Sequence, residues 1–492
     1  MLVLPRATRN TQNTVHPVWN NCEGRAHNTP RGYTEYWACE DQSFFDTDSL
    51  PRPNQIRFRE GRWLPSMGIP YYVASLLRTH KHIQTKCGNA PVEADVLVID
   101  FNCFLHKYLN ADNPVGSIAI ALEKLLTETV RARQVYIAFD GLVPYAKMVQ
   151  QRYRRMRRPE VTTGFDKHQL SPGTPIMREI ANTLRFLFPG VIVSDTLDPG
   201  EGEHKMFRWM QTLPAEDRKR ICIYGLDADL VLIAIAQRHL GHMVVLRELE
   251  DDGFATLSIP ALVDVLPMDP DVYVETSILC FGNDFMPNLA AFSLREDGYP
   301  RAMYYAAHGG ILSAAKDERK ILTKRAKDTD RHIVSTDGHA IEQRFAVQCM
   351  DGVLNWDPVV YAFWKTYAWT LHYFKTSEIL DWGWYYPYPE APLLETLVAT
   401  ERPQSFDWTH SSPFYSVSDQ LRFILPDSSL ASTGLVPRYP DEIYDEATET
   451  RHPWMKRFVW ECDPYISVPL GTLTTVGEYV LPPSETRRAS VS

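Results

Sequence analysis

A set of short apolar runs that end in aspartate narrows the folds open to this chain. VLVID (96–100), VYIAFD (135–140) and VIVSD (191–195) are rich in Val, Ile and aromatic residues. Runs of this length and composition read as buried strands. A fourth run, ICIYGLDADL (221–230), passes into Asp227 and Asp229. Between them lie stretches with helical spacing: IAIALEKLLTETVRAR, AKMVQQRYRRMRR, PIMREIANTLRFLF and GEHKMFRWMQTL. Strand–helix–strand alternation predicts an α/β fold, with a mostly parallel central sheet flanked by helices. The carboxyl ends of such strands border the ligand crevice of an open sheet, so the strand-end acids are expected to meet there.

A single strand-end Asp is most often a helix cap or a turn residue. Repetition changes that reading. Asp100, Asp140, Asp227 and Asp229 recur at corresponding places, Glu201 and Glu203 open a helix in PGEGEHK, and Asp284 lies in FGNDFMP. Asp195 is set apart, because the Pro and Gly that follow mark it as a turn. Carboxylates a few Å apart raise one another's pKa values. Hard divalent cations relieve that repulsion, which suits Mg²⁺ or Mn²⁺. Two such ions, about 3.5–4 Å apart, can activate a water and stabilise the leaving oxygen of a phosphodiester. The expected chemistry is that of a nuclease.

The chain carries a formal net charge of -10, so any anion-binding surface must be local. Lys147, Gln151, Arg154, Arg155 and Arg158 supply one. They fall at i, i+4, i+7, i+8 and i+11, on one face of a helix that starts just after Asp140. Arg forks and a Lys point charge suit phosphate oxygens, and Gln151 adds an amide donor. The aromatic run from Trp356 to Tyr388 reads either as core or as base-stacking platforms. His106, just past Asp100, is open to the same two readings.

The organisation expected along the chain is an irregular N-terminal extension (1–66), a core carrying the acidic site (67–300), a linker or exposed helix (301–345), an aromatic-rich region (346–478) and a disordered tail (479–492). None of the eight cysteines forms a CxxC pair, and Cys103, Cys222 and Cys280 sit within apolar runs. These read as buried free thiols of a protein in a reducing compartment, cytoplasmic or nuclear. No stretch approaches the roughly 18 apolar residues of a membrane span.

These motifs, taken in order, resemble the Xrn-type 5′→3′ exoribonucleases. The resemblance is carried by MGIPYYVASLL, VIDFNCFLH, AFDGLVPYAKMVQQRYRRMR, PGEGEHK, YGLDADL and FGNDFMP, and then by CMDGVLNW, DWGWYYPYPEAP, PFYSVSDQLRFILP and KRFVWECDPYISVPL. It implies a PIN/FEN-like nuclease core embraced by a helical, aromatic-rich second conserved region. It implies seven metal-site acids at Asp100, Asp140, Glu201, Glu203, Asp227, Asp229 and Asp284, holding two ions, Mg²⁺ or Mn²⁺. A 5′-monophosphate pocket falls on Lys147, Gln151, Arg154 and Arg155. His106 is similar to the family's base-stacking histidine, with Trp382 or Trp384 as its partner. The implied substrate is single-stranded RNA with a 5′-monophosphate, degraded processively to nucleoside 5′-monophosphates. A monomer is expected, and protein partners are left open. Residues 1–66 precede the usual MGIP start and the linker between conserved regions is short, a compact form that would suit a virus or a divergent microbe.

Two other readings compete. A flap-type, structure-specific DNA nuclease would use a related acidic site, but should carry a DNA-binding helical motif where this chain has WGWYYPYPEAP. A catalytically inactive RNA-binding scaffold would be favoured by loss of a metal acid, and all seven are present.

Overall fold

A computed structural model describes residues 69–435, apart from residues 70, 89, 109–112, 157–166, 250–252, 295–296, 330–344, 347–349, 351–352, 389, 426–428 and 431–432. The expected N-terminal extension and tail, and the segment KRFVWECDPYISVPL, lie outside the described residues.

The core is a seven-stranded sheet: β1 (Gln84–Lys86), β2 (Val92–Asp100), β3 (Val130–Ala138), β4 (Ile192–Ser194), β5 (Arg220–Tyr224), β6 (His242–Glu248) and β7 (Phe254–Ser258). The spatial order is β1-β7-β6-β5-β2-β3-β4. Strands β4, β3, β2, β5 and β6 pair in parallel, and β7 joins both its neighbours antiparallel. The mostly parallel sheet expected from the sequence is present, with a short antiparallel edge added. From β2 the chain builds outward through β3 to β4, then returns to place β5 on the other side of β2. The crevice between β2 and β5 is therefore a topological switch point, the usual ligand site of such sheets.

Helices cover both faces. Along β2, Val96 and Val98 join one core, while Leu97 and Ile99 join the other. This is the two-residue period of a strand buried on both sides. The helices that carry the site are α1 (Tyr72–Thr79), α2 (Phe101–Leu105), α3 (Pro114–Lys124), α4 (Tyr145–Met156), α5 (Pro175–Leu187), α6 (Gly202–Thr212) and α7 (Asp229–Ala236).

Two expectations are corrected. The helix read over residues 118–133 ends early: after α3, Leu125–Thr129 close a π turn and Val130 begins β3. VRAR thus belongs to a strand whose register runs from Val92↔Val130 to Asp100↔Ala138. A long ladder beside a central strand outweighs the weak helical spacing of four residues. Strand β6, HMVVLRE, was not among the expected strands. Within 301–345, read as a linker or an exposed helix, lie most of helix Gly298–Ala307, the short turn Ile311–Ala314 and helix Ala315–Thr329, with Ala302, Ala314 and Leu322 buried. The aromatic run forms helix Asp357–Thr376, whose Trp364, Trp369, Tyr373 and Phe374 are buried in the main core. Cys103, Cys222 and Cys280 are buried free thiols.

Candidate nuclease site

Each strand end delivers its acid by local geometry. Asp100 closes β2, and Asp140 follows β3 by two residues. Glu201 is the N-cap of α6, yet its side chain makes no capping bond and turns into the crevice instead. Next to it, Gly202 permits a close approach. A Cβ there would lie 3.1 Å from the Ala138 carbonyl and 3.2 Å from Asp100 Oδ1, so a side chain would crowd the meeting point of β2, β3 and α6. The Gly202 N–H donates to Asp140 Oδ1 at 2.8 Å, using an otherwise orphaned donor of the first helical turn. Asp227 lies between β5 and α7, and Asp229 is the first residue of α7. Asp284 follows helix Pro270–Phe281. There Gly282 takes φ 68, and Asn283 Oδ1 accepts the N–H groups of Phe285 and Met286, which fixes the turn.

All seven acids come together. Asp100, Glu201, Glu203, Asp227, Asp229 and Asp284 are buried. Burial, reinforced by Asp227 and Asp140, pushes the Asp100 carboxyl up to about 8. Burial likewise raises Glu201 to about 7, against the opposing pull of Lys147. Glu203 and Asp229 are raised well above the carboxylate range by burial, against the pull of Lys147 at Glu203 and with Asp284 and Asp227 adding to the rise at Asp229. Potential ligand atoms of Asp100, Cys103 and Asp227 lie within 4.8 Å of one another, as do those of Glu201, Glu203 and His204. Asp229 Oδ1 is buried without a hydrogen-bond partner. Hard oxygen donors, mutual repulsion and an orphaned acceptor fit a divalent cation bound in this crevice.

Lys147 is the surprise in the basic helix. It is buried, with Nζ 2.5 Å from Glu201 Oε2 and 2.6 Å from Asp284 Oδ2. Burial pulls its pKa down, but Asp284, Glu201, Glu203 and Asp229 outweigh that and hold the ammonium charged. One turn on, Gln151 is buried and accepts from Arg155 Nη1 at 3.2 Å. The side chain of Arg154 lies outside the description. His106 caps α2 and is half-buried.

Trp382 is buried in a cluster with Leu142, Tyr145 and Phe423, and its carbonyl accepts the Tyr145 N–H at 3.0 Å. Trp384 donates Nε1–H to Thr366 Oγ1 at 3.0 Å, with the Lys365 ammonium 4.1 Å from its ring centre. Asp195 lies apart from the cluster. It pairs with Arg185 at 2.6 Å and accepts the Leu197 N–H, as a turn residue does.

Other side chains join the site without having been singled out in the sequence. Gln150 donates to Asp284 Oδ1 at 3.3 Å. Its i+3 spacing from Lys147 would have pointed to it, as surely as i+4 pointed to Gln151. Asn102 donates to Asp140 Oδ2, and the Cys103 thiol donates to Asp100 Oδ2. Tyr373, from helix Asp357–Thr376, donates to Glu201 Oε1 at 3.1 Å while its ring stacks on His204. Nothing in the local sequence marks that last contact.

The family model describing the XRN 5′-3′ exonuclease N-terminus matches residues 67–163 and 157–249. Among curated relatives, the 5′-3′ exoribonuclease 1 of Saccharomyces cerevisiae is 26% identical over 309 residues, which cover 48% of this chain and 20% of that protein. The 5′-3′ exoribonuclease 2 of Neurospora crassa is 28% identical, over 42% of this chain and 30% of that protein. The chain thus spans between a fifth and a third of these relatives' lengths. A solved structure of the catalytic core of Rad2 in complex with DNA substrate is 16% identical and covers 75% of this chain and 98% of its own, with a TM-score of 0.38, too loose to add to the argument. Over residues 67–249, a little over a third of its length, the chain is similar to the N-terminal region of the XRN 5′-3′ exonucleases.

Proposed function

We propose that this chain is a 5′→3′ exoribonuclease that degrades single-stranded, 5′-monophosphorylated RNA to nucleoside 5′-monophosphates. One observation carries the reading: seven carboxylates meet at the switch point of the sheet, with a buried lysine among them. Asp100, Asp140, Glu201, Glu203, Asp227, Asp229 and Asp284 would hold two divalent ions, Mg²⁺ or Mn²⁺. When bound, such ions supply Lewis-acid stabilisation of the phosphoryl oxygens and a nucleophilic water at neutral pH.

The protein's own groups do the positioning. Gly202 N–H and Asn102 fix Asp140, Cys103 fixes Asp100, and Tyr373 fixes Glu201. Lys147, Gln151, Arg154 and Arg155 would hold the terminal phosphate, which sets the direction of attack. Lys147 ties that pocket to the acids, because its ammonium already touches two of them. His106, with Trp382 or Trp384, would stack the leading bases and keep the strand in place between cycles. Trp382 supports this role through its contact with the start of α4. No helix among the described residues is long and apolar enough to cross a membrane. The proposed setting is intracellular and the working form a monomer.

The test is a set of end-labelled RNAs bearing a 5′-phosphate, hydroxyl or cap, incubated with Mg²⁺ or with EDTA. Mononucleotide release only from the 5′-phosphate RNA, and only with Mg²⁺, is expected. Arg154→Ala should narrow the gap between phosphate and hydroxyl ends. Equal degradation of all three RNAs by the unsubstituted protein would refute the pocket, and activity in EDTA would refute the ions.

A further inference from the structure

A second cation flanks the carboxylates, on a strand to which the proposed chemistry gives no role. Arg247 is the next-to-last residue of β6. Leu246 pairs with Tyr224 at the end of β5 and accepts the Gly225 N–H at 3.3 Å. Arg247 therefore stands where β6 meets the loop that carries Asp227. In strand alternation it follows Met243 and Val245, both fully buried, so the guanidinium extends a core-facing row to the crevice end of the sheet.

Its Nη1 is buried and has no hydrogen-bond partner. The charged or titratable groups that act on it are Asp227 and Cys103, the latter bonded to Asp100. This is the Asp100–Cys103–Asp227 corner of the cluster, whereas Lys147 engages Glu201 and Asp284. Among the described residues Arg247 makes no ion pair with these acids. Burial outweighs their pull and draws the guanidinium below its ordinary pKa, so its charge is under-compensated. A half-buried guanidinium whose Nη1 is buried and unpartnered beside this corner has the chemistry of a phosphate contact.

We propose that Arg247 is a further substrate-binding residue, donating from Nη1 to a non-bridging phosphate oxygen of the RNA backbone at the Asp100–Asp227 corner. The inference rests on the nuclease reading of the site, but its test does not depend on turnover. A 5′-phosphorylated single-stranded RNA is titrated in EDTA against the unsubstituted protein, Arg247→Ala and Arg247→Lys by fluorescence anisotropy, over a range of salt. Thermal unfolding is recorded for each, and turnover of the unsubstituted protein in Mg²⁺ is measured alongside.

Arg247→Ala should weaken binding by about ten- to a hundredfold. It should also reduce the slope of log affinity against log salt by about 0.7, the value for one lost single-strand phosphate contact. Arg247→Lys should keep the slope. A walk of neutral methylphosphonate linkages along the RNA should find one position that weakens binding to the unsubstituted protein and leaves Arg247→Ala unaffected. If Arg247→Ala does not fold, Arg247→Gln, which keeps the bulk and removes the charge, takes its place in the salt titration and in the walk. Unchanged affinity and slope in Arg247→Ala, or no sensitive linkage in the walk, would overturn the proposal and leave Arg247 as a structural counter-charge to Asp227. Absence of turnover by the unsubstituted protein, with the slope change still present, would instead overturn the nuclease reading.

Discussion

The carboxylate cluster and helix Asp357–Thr376 are assembled from opposite kinds of sequence. The cluster gathers its acids from as far apart as Asp100 and Asp284, from five separate places: the end of β2, the turn after β3, the start of α6, the start of α7 and the turn after helix Pro270–Phe281. The helix draws its Trp364, Trp369, Tyr373 and Phe374 from one unbroken run, and all four enter the same core. The cluster costs stability, because burial and repulsion lift Asp100 to about 8 and Glu201 to about 7. The helix contributes stability through apolar burial, at roughly 25 cal/mol per Å². Tyr373 joins the two, with its ring in the core and its hydroxyl on Glu201. Density of one residue type thus marks scaffold in this molecule, whereas dispersed acids at strand ends mark the site.

The sharpest break between the two regions would come from Asp229→Asn. Losing about 4 kcal/mol of transition-state stabilisation corresponds to about a thousandfold in turnover. The melting temperature of the metal-free protein should hold or rise, since a repelling charge is gone. Retained cleavage would sink the assignment of this residue.

Trp369→Ala should do the reverse. Truncating a fully buried Trp costs about 3–5 kcal/mol of stability. Turnover measured well below the lowered melting temperature should stay within a few-fold of the original. A collapse in turnover without loss of stability would show that the helix does more than support the core.

The pH response of the two regions should differ as well. Asp100 and Glu201 bind protons more tightly folded than unfolded, so metal-free stability falls as pH rises. The loss should begin above about pH 4, the ordinary carboxyl range, and be complete by about pH 8. Melting curves in EDTA at both ends of that window would show it, and Mg²⁺ added at the upper end should recover the lost stability. A melting temperature that does not change with pH would mean that the acids do not repel one another.

The smallest effect is expected at the join. Tyr373→Phe removes one hydrogen bond to Glu201 at a cost of about 1 kcal/mol. It should weaken Mg²⁺ dependence slightly while leaving the core intact. A loss as large as that of Trp369→Ala would place the energy of Tyr373 in the core and not in its hydroxyl.

The alternation of strands and helices, the acids at the strand ends and the helix that carries Lys147 are legible in the local sequence, because these are periodicities that survive in any compact arrangement. Long-range packing settles the rest. VRAR became strand because β2 offered a ladder. Lys147 entered the acid cluster because Glu201 and Asp284 reach it from separate elements. Gln150 joined it there, through Asp284. Trp384 is clasped by Lys365 and Thr366 from the neighbouring helix. The physical reason is common to all four. A local pattern fixes which way a backbone segment can turn, but what a side chain meets depends on elements distant in the chain, and burial makes the cost of an unmet charge or ladder group large enough to choose among them.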